Sequence, residues 1–261
     1  MDCIVIAGGR PDPDDSLFPY TQGKPKALLS LAGQPMLAHV LRAFHDAQEV
    51  DAIVVVGIAE AEGIAVTKDL PSSQPVIFLQ DQGSIVANAR RGLEWLAANR
   101  PGNSELLLST ADIPLLTGHI VDAFVDKCRP FDRLAYYNLV TKETMEARFP
   151  HSNRTFVRLR EAEVAGGDLF LVQSGILYTN QALWEALTDA RKNAWQLARI
   201  VGFRTLLKLL LHRLSLAEVE QLATQLLGAP IRILTNPYPE LAMDADKPEQ
   251  VDQLRRQLSG E

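Results

Sequence analysis

The run Ile4-Val5-Ile6-Ala7-Gly8-Gly9 constrains this chain more than any other stretch. Its apolar part reads as a buried β-strand, and the paired glycines leave no side chain between the backbone and whatever lies against it. Backbone N–H groups exposed at such a strand end can meet phosphate oxygens. Lys24 and Lys26 arrive on the same loop, in the stretch Lys24-Pro25-Lys26-Ala27-Leu28-Leu29, and Ala27-Leu28-Leu29 reads as a strand. A loop of this kind suits a triphosphate.

Strand-like runs and helical periodicity alternate from there. Met36, Leu37, Val40, Leu41 and Phe44 recur at three- and four-residue spacing behind Pro35, which predicts an amphipathic helix that the proline starts. Residues 52–58 form a continuous apolar run, as buried parallel strands do. A short helix over 62–70, a strand over 76–79, a helix marked by Ile85, Val86, Ala89, Leu93, Leu96 and Ala97, a strand over 106–108 and a helix over 120–128 follow. This βαβαβαβ rhythm predicts an α/β fold, a doubly wound and mainly parallel sheet whose ligands sit at the carboxyl ends of its strands. The second half is less regular. Strands over 135–140 and 169–172 enclose a loop-rich span holding His151, Asn153, Arg154 and Gly166-Gly167-Asp168. Helices over 181–227, a strand over 231–234 and a final helix from Pro248 complete the series. With no repeat and no linker, the reading is one domain over 1–261 carrying a helical insertion at 180–228.

A net charge of −6 argues against nonspecific nucleic-acid binding, which needs a basic face. Cys3 and Cys128 have neither disulfide-framework nor metal-ligand spacing and read as small buried hydrophobes of a reducing compartment. Asp2 sits where a basic leader segment would need positive charge, so the expected location is the cytoplasm. Residues 197–227 are rich in leucine, yet Arg199, Arg204, Lys208, His212 and Arg213 interrupt them, so they do not read as a transmembrane segment. That apolar surface needs a cover: the chain's own core, a homodimer partner, an acceptor pocket or a membrane surface.

Two acidic elements fall where chemistry is expected. Asp112, in Ser109-Thr110-Ala111-Asp112-Ile113-Pro114, follows the fourth strand directly and points into the ligand crevice. Its competing role is to cap the next helix, for which Thr117 is better placed. In Met243-Asp244-Ala245-Asp246-Lys247-Pro248 the two acids alternate across one residue and face one side of an extended segment. Asp246 also reads as an N-cap for the helix behind Pro248. A dinucleotide turn is the rival reading of the first loop, but Ala-Gly-Gly lacks the Gly-x-Gly-x-x-Gly spacing.

The set Ala7, Gly8, Gly9, Lys26, Gly33, Pro35 and Met36 resembles the N-terminal signature of molybdenum-cofactor guanylyltransferase-like nucleotidyltransferases, relatives of the sugar-1-phosphate nucleotidyltransferases. The resemblance implies a nucleotide-diphospho-sugar transferase-like fold of GT-A type. It implies phosphate binding by Ala7, Gly8, Gly9 and Lys26. Arg10 alone stands where such proteins often carry a triphosphate-binding arginine, with Asp12, Asp14 and Asp15 close by. Asp112, in an Asp-x-Pro setting, and Asp246 would hold Mg²⁺. The loop at Gly83 and Ser84 would lie beside the nucleobase. Arg154, Gly167, Asp168 and Asp244 would meet the acceptor. The implied reaction moves an NMP from an NTP to a small anionic acceptor, with Lys26 and Asp112 catalytic and pyrophosphate released. A noncatalytic nucleotide-binding module and, from the rival loop reading, a nicotinamide oxidoreductase are the other classes.

Overall fold

A computed structural model describes residues 1–70, 74–179 and 201–260. The first strand, β1 (Asp2–Ile6), is buried along its whole length, as is β4 (Ala52–Val56), which pairs with it in parallel. On its other side β1 pairs in parallel with β6 (Glu105–Thr110), and β4 pairs in parallel with β5 (Val76–Leu79). Continuous apolar runs form these strands because both faces are covered by helices. Cys3 and Val5 join a large core cluster with Met36, Leu37, Val40, Leu41 and Phe44 of α2 (Met36–Asp46) and Val121, Phe124 and Val125 of α5 (Gly118–Cys128). Ile4, Val54 and Val56 belong to a second cluster, with Leu93 and Leu96 of α4 (Ile85–Asn99). The period-two alternation of strand side chains thus divides the core between two faces.

The sheet is mainly parallel, as expected, with one strand inserted against the rest: β9 (Glu163–Gln173) runs antiparallel between β6 and β7 (Ala135–Thr141), while β10 (Ile231–Thr235) pairs in parallel with β7. Two local expectations need correction. The order is β10-β7-β9-β6-β1-β4-β5, with β8 (Val157–Arg158) also on β9. Gly166-Gly167-Asp168 therefore lies inside a strand and not in a loop. The glycines are there because neighbouring side chains need their space: a Cβ on Gly166 would collide with the Tyr137 hydroxyl, and one on Gly167 with the Asn138 amide. Glycines in a strand interior mark such close approach. The stretch after Pro25 is a short 3₁₀ turn, Lys26–Leu28, and not a strand. A helix absent from the sequence reading, α6 (Lys142–Arg148), begins directly at the end of β7, where the Thr141 hydroxyl accepts the Thr144 N–H.

Before α2 lie one turn, α1 (Phe18–Thr21), and a small antiparallel pair, β2 (Ser30–Leu31) with β3 (Gln34–Pro35), and α3 (Glu60–Thr67) links β4 to β5. In the C-terminal half, α7 (Phe203–Leu210) and α8 (Leu216–Leu227) precede β10. Val219, Ala223 and Leu227 of α8 pack with Leu139, Val164, Ile231 and Ile233, a third cluster at the β7/β10 side of the sheet. Of the 180–228 insertion, residues 180–200, Ile200 included, lie outside the described residues. The last helix, α9 (Pro248–Ser259), puts Val251 and Leu254 into the large core cluster.

Candidate active site

The parallel strands β1, β4, β5 and β6 end on one edge, and the site is built there. Beyond β1, the Ala7 N–H donates to the Val56 carbonyl at 2.8 Å, which carries Gly8 over the end of β4. Gly57, at φ 116°, has no room for a side chain because a Cβ would strike the Gly8 backbone. After β5, Asp81 fills the space that a side chain on Gly8 would need. Its Oδ1 accepts from Asn88 Nδ2 at 2.8 Å and from the Gly83 N–H at 3.2 Å, while the Gln82 N–H donates to Asn88 Oδ1 at 2.7 Å. Buried Asn88 thus holds the loop that sequence placed beside a base. Ser84 caps α4 by accepting the Ala87 N–H at 3.1 Å.

Lys26 is anchored by its own backbone, whose N–H donates to the Gly9 carbonyl at 2.8 Å. Its ammonium lies between two carboxylates, 2.5 Å from Asp112 Oδ2 and 2.6 Å from Asp246 Oδ1. The second oxygen of Asp112 accepts from the Thr110 hydroxyl at 2.5 Å. Asp112 is free for this because Thr117 caps α5, as its position in sequence suggested. Asp246 reaches the pair because the Ala245 N–H donates to the Asp112 carbonyl at 3.1 Å, docking the C-terminal segment on the end of β6. Asp246 does not cap α9. The cap position is Lys247, and Gln250 Oε1 reaches back to the Asp246 N–H at 3.0 Å.

Behind this triad stands a second one. Arg154 is paired with Asp244, lies 3.5 Å from Asp168 Oδ2, and donates to the Gly166 carbonyl at 3.0 Å. Only 14% of its side chain is exposed, so the guanidinium is committed inward and not open as a fork for an acceptor anion. Gly167 faces the buried Asn138 amide. Arg10 is exposed, with Nη1 3.5 Å from the Gly23 carbonyl, and Lys24 is exposed as well. Thr110, Asn138 and Gln250 escaped the sequence reading. Thr110 carried a signal, since residues two apart on a strand share a face and it precedes Asp112 by two.

The charges explain one another. Burial pulls Lys26 towards neutrality, but Asp112 and Asp246 outweigh it and hold the ammonium charged far above its ordinary range. Burial also opposes the charge of Asp246, yet Lys26 keeps its carboxyl below the usual value. Asp168 is pushed well up by burial and by Asp112 and Asp244, against the pull of Arg154. Burial lifts Asp244 to about 7, with Arg154 opposing and Asp246 and Asp112 adding to the rise. Asp168 and Asp244 thus hold protons more readily than ordinary carboxyls.

Among the described residues no three His, Cys, Asp or Glu side chains gather into a metal-binding cluster. A divalent cation bound largely by substrate phosphates needs only one or two protein carboxylates, all hard oxygen donors. Asp112 and Asp246, already converging on a cationic nitrogen, fit that requirement.

Residues 3–226 match the family of MobA-like NTP transferase domains. The chain belongs to that family. A hypothetical transferase structure from Thermus thermophilus is similar over nearly all of it, with 36% identity, a TM-score of 0.80, and coverage of 96% of this chain and 98% of that one. The bifunctional protein GlmU of Nocardia farcinica is 33% identical over 121 residues, 45% of this chain and 24% of GlmU. The 2-C-methyl-D-erythritol 4-phosphate cytidylyltransferase of Streptomyces avermitilis is 32% identical over 111 residues, 41% of this chain and 43% of that protein. The chain thus spans less than half the length of either curated relative. Among the described residues no helix is long and apolar enough to cross a membrane.

Proposed function

We propose that the protein is a divalent-cation-dependent nucleotidyltransferase, with Mg²⁺ as the natural cation, moving an NMP from an NTP to a small phosphorylated acceptor. The observation that carries this reading is the Lys26 ammonium between Asp112 and Asp246, at the strand edge beside Gly8 and Gly9. Family membership and a relative named as a cytidylyltransferase of a phosphate compound support the same class.

The glycine-rich turn, with no side chains in the way, lets backbone N–H groups approach the triphosphate. Lys26 neutralises charge on it, and Asp112 and Asp246 would hold the cation. That cation would supply Lewis-acid stabilisation of the phosphate oxygens. A phosphate nucleophile is ionised at neutral pH and needs no general base. Catalysis then rests on orientation: the acceptor oxygen is held in line with the α-phosphorus, and the charge of the departing pyrophosphate meets a fixed ammonium. Arg154 acts as a pillar that fixes Asp244 and Asp168 beneath the site. Lys26 draws the acceptor's phosphate, while Asp168 offers an oxygen to hydroxyl or amine donors on the rest of the molecule. The chain forms one domain in this reading and works in the cytoplasm.

The test is pyrophosphate release across the four NTPs with pooled phosphorylated acceptors, with and without Mg²⁺. Release with a particular NTP that needs both acceptor and cation supports the reading. Tight NTP retention with no pyrophosphate would make the protein a noncatalytic nucleotide-binding module, and retention of NAD would point to an oxidoreductase.

A further inference from the structure

The α7 helix turns an apolar face to solvent. Phe203 is 74% exposed and Leu210 69%, and Leu207 and Leu211 are exposed beside them. The spacing i, i+4, i+7, i+8 puts all four on one stripe. The opposite side of the helix is occupied: Leu209 packs on the third core cluster and Leu206 is half-buried. The element is therefore seated on the protein by one face while a second apolar face stays open.

The charge on this element is the reverse of the chain's. Residues 203–213 contain Arg204, Lys208 and Arg213 and no Asp or Glu, in a chain of net charge −6. Lys208 is paired with Glu218, but Arg204 and Arg213 are exposed and have no ion-pair partner among the described residues. Interleaved arginines suit a surface that is apolar a few ångströms down and anionic on top, where long basic side chains lay their stems along acyl chains and keep their heads among phosphates. We infer that α7 is a docking face for an anionic lipid surface, seating the enzyme on a membrane without spanning it. The attraction per basic residue near such a surface is short-ranged and screened by salt.

The experiment is sedimentation of the full chain with vesicles of phosphatidylcholine alone or mixed with phosphatidylglycerol, in low and high salt. The expected result is binding on the order of ten-fold stronger to the anionic vesicles and weakened by salt. Phe203→Ser with Leu210→Ser should abolish it while leaving the thermal unfolding midpoint in place, since both side chains are exposed. Arg204→Gln with Arg213→Gln should remove the preference for anionic lipid. No sedimentation of the native protein, or sedimentation indifferent to the double serine variant, overturns the inference. So does a native dimer that the serine variant converts to monomer, because the face would then belong to a second copy of this chain. Lipid binding is read without substrate, so its outcome stands apart from that of the pyrophosphate assay.

Discussion

At the scale of single residues the site depends on a few charges with little freedom. Asp112 is held by Thr110 and Lys26. Asp112→Asn should lower turnover on the order of 10²–10³-fold, the scale for losing one preorganised electrostatic element, with the circular dichroism spectrum unchanged. Near-normal turnover would remove Asp112 from the machinery. The two lysines of the loop separate cleanly, because Lys26 is half-buried between carboxylates and Lys24 is exposed. Lys26→Met should weaken turnover far more than Lys24→Met. It should also have an opposite effect without nucleotide: the ammonium competes with a cation for Asp112 and Asp246, so Mn²⁺ binding followed by electron paramagnetic resonance should tighten in Lys26→Met. Unchanged Mn²⁺ affinity would show that the two carboxylates do not form the cation site. Arg154 looks from sequence like an anion fork, and only the fold reveals that Asp244 and Asp168 already occupy it.

Elements are set by local rules wherever a side chain and its target lie within one turn. Ser215 and Glu218 form a reciprocal capping box at the start of α8, and Lys208 closes on Glu218 from α7. The hydrogen bond from Lys208, with those from Ser215, holds the Glu218 carboxyl down at about 2. The sign follows directly. A carboxyl depressed on folding stabilises the folded state above its unfolded pKa of 4.5, and this contribution disappears as pH falls from there towards 2. Glu218→Gln should therefore lower the thermal midpoint at neutral pH and flatten its fall on the acid side, where the native carboxyl takes up its proton. An unchanged acid limb would show that the capping box is not what titrates. The strands β1, β4, β5 and β6 were legible as apolar runs, and α2, α4 and α5 as periodic ones. The antiparallel insertion of β9 was not, because partner and direction are not properties of a strand's own sequence. Its alternating burial fits a parallel or an antiparallel neighbour equally.

Across the whole molecule, the site joins residues 86 and 220 positions apart, Lys26 with Asp112 and Lys26 with Asp246. Only the packed core holds these segments in place. Phe124 is fully buried between α5 and the sheet, so Phe124→Ala should cost about 3–5 kcal/mol of stability. In urea, loss of NTP binding should coincide with loss of helical signal in both native and variant proteins, because no single segment carries the site. An NTP-binding state that outlives the helical signal would mean that the N-terminal strands form it alone. The expectation that the leucine-rich helices wall the acceptor pocket gains no support: none of the ion pairs of Lys26, Asp112, Arg154, Asp168, Asp244 or Asp246 involves α7 or α8 among the described residues.

Sequence by itself determined the α/β class, the glycine turn after β1, the strand-end position of Asp112 and the capping of α5 by Thr117, since each depends on residues adjacent in the chain. Tertiary structure alone decided that β9 runs against its neighbours, that Arg154 is consumed by two acids, and that Gln250, not Asp246, does the work at the start of α9. It also gave Asp2 its role: the side chain is fully buried, its carboxylate 2.9 Å from both Arg100 and Asn103. Local preferences act within a turn or a strand pair, whereas a charge finds its partner only after distant segments have been brought together by the core they share.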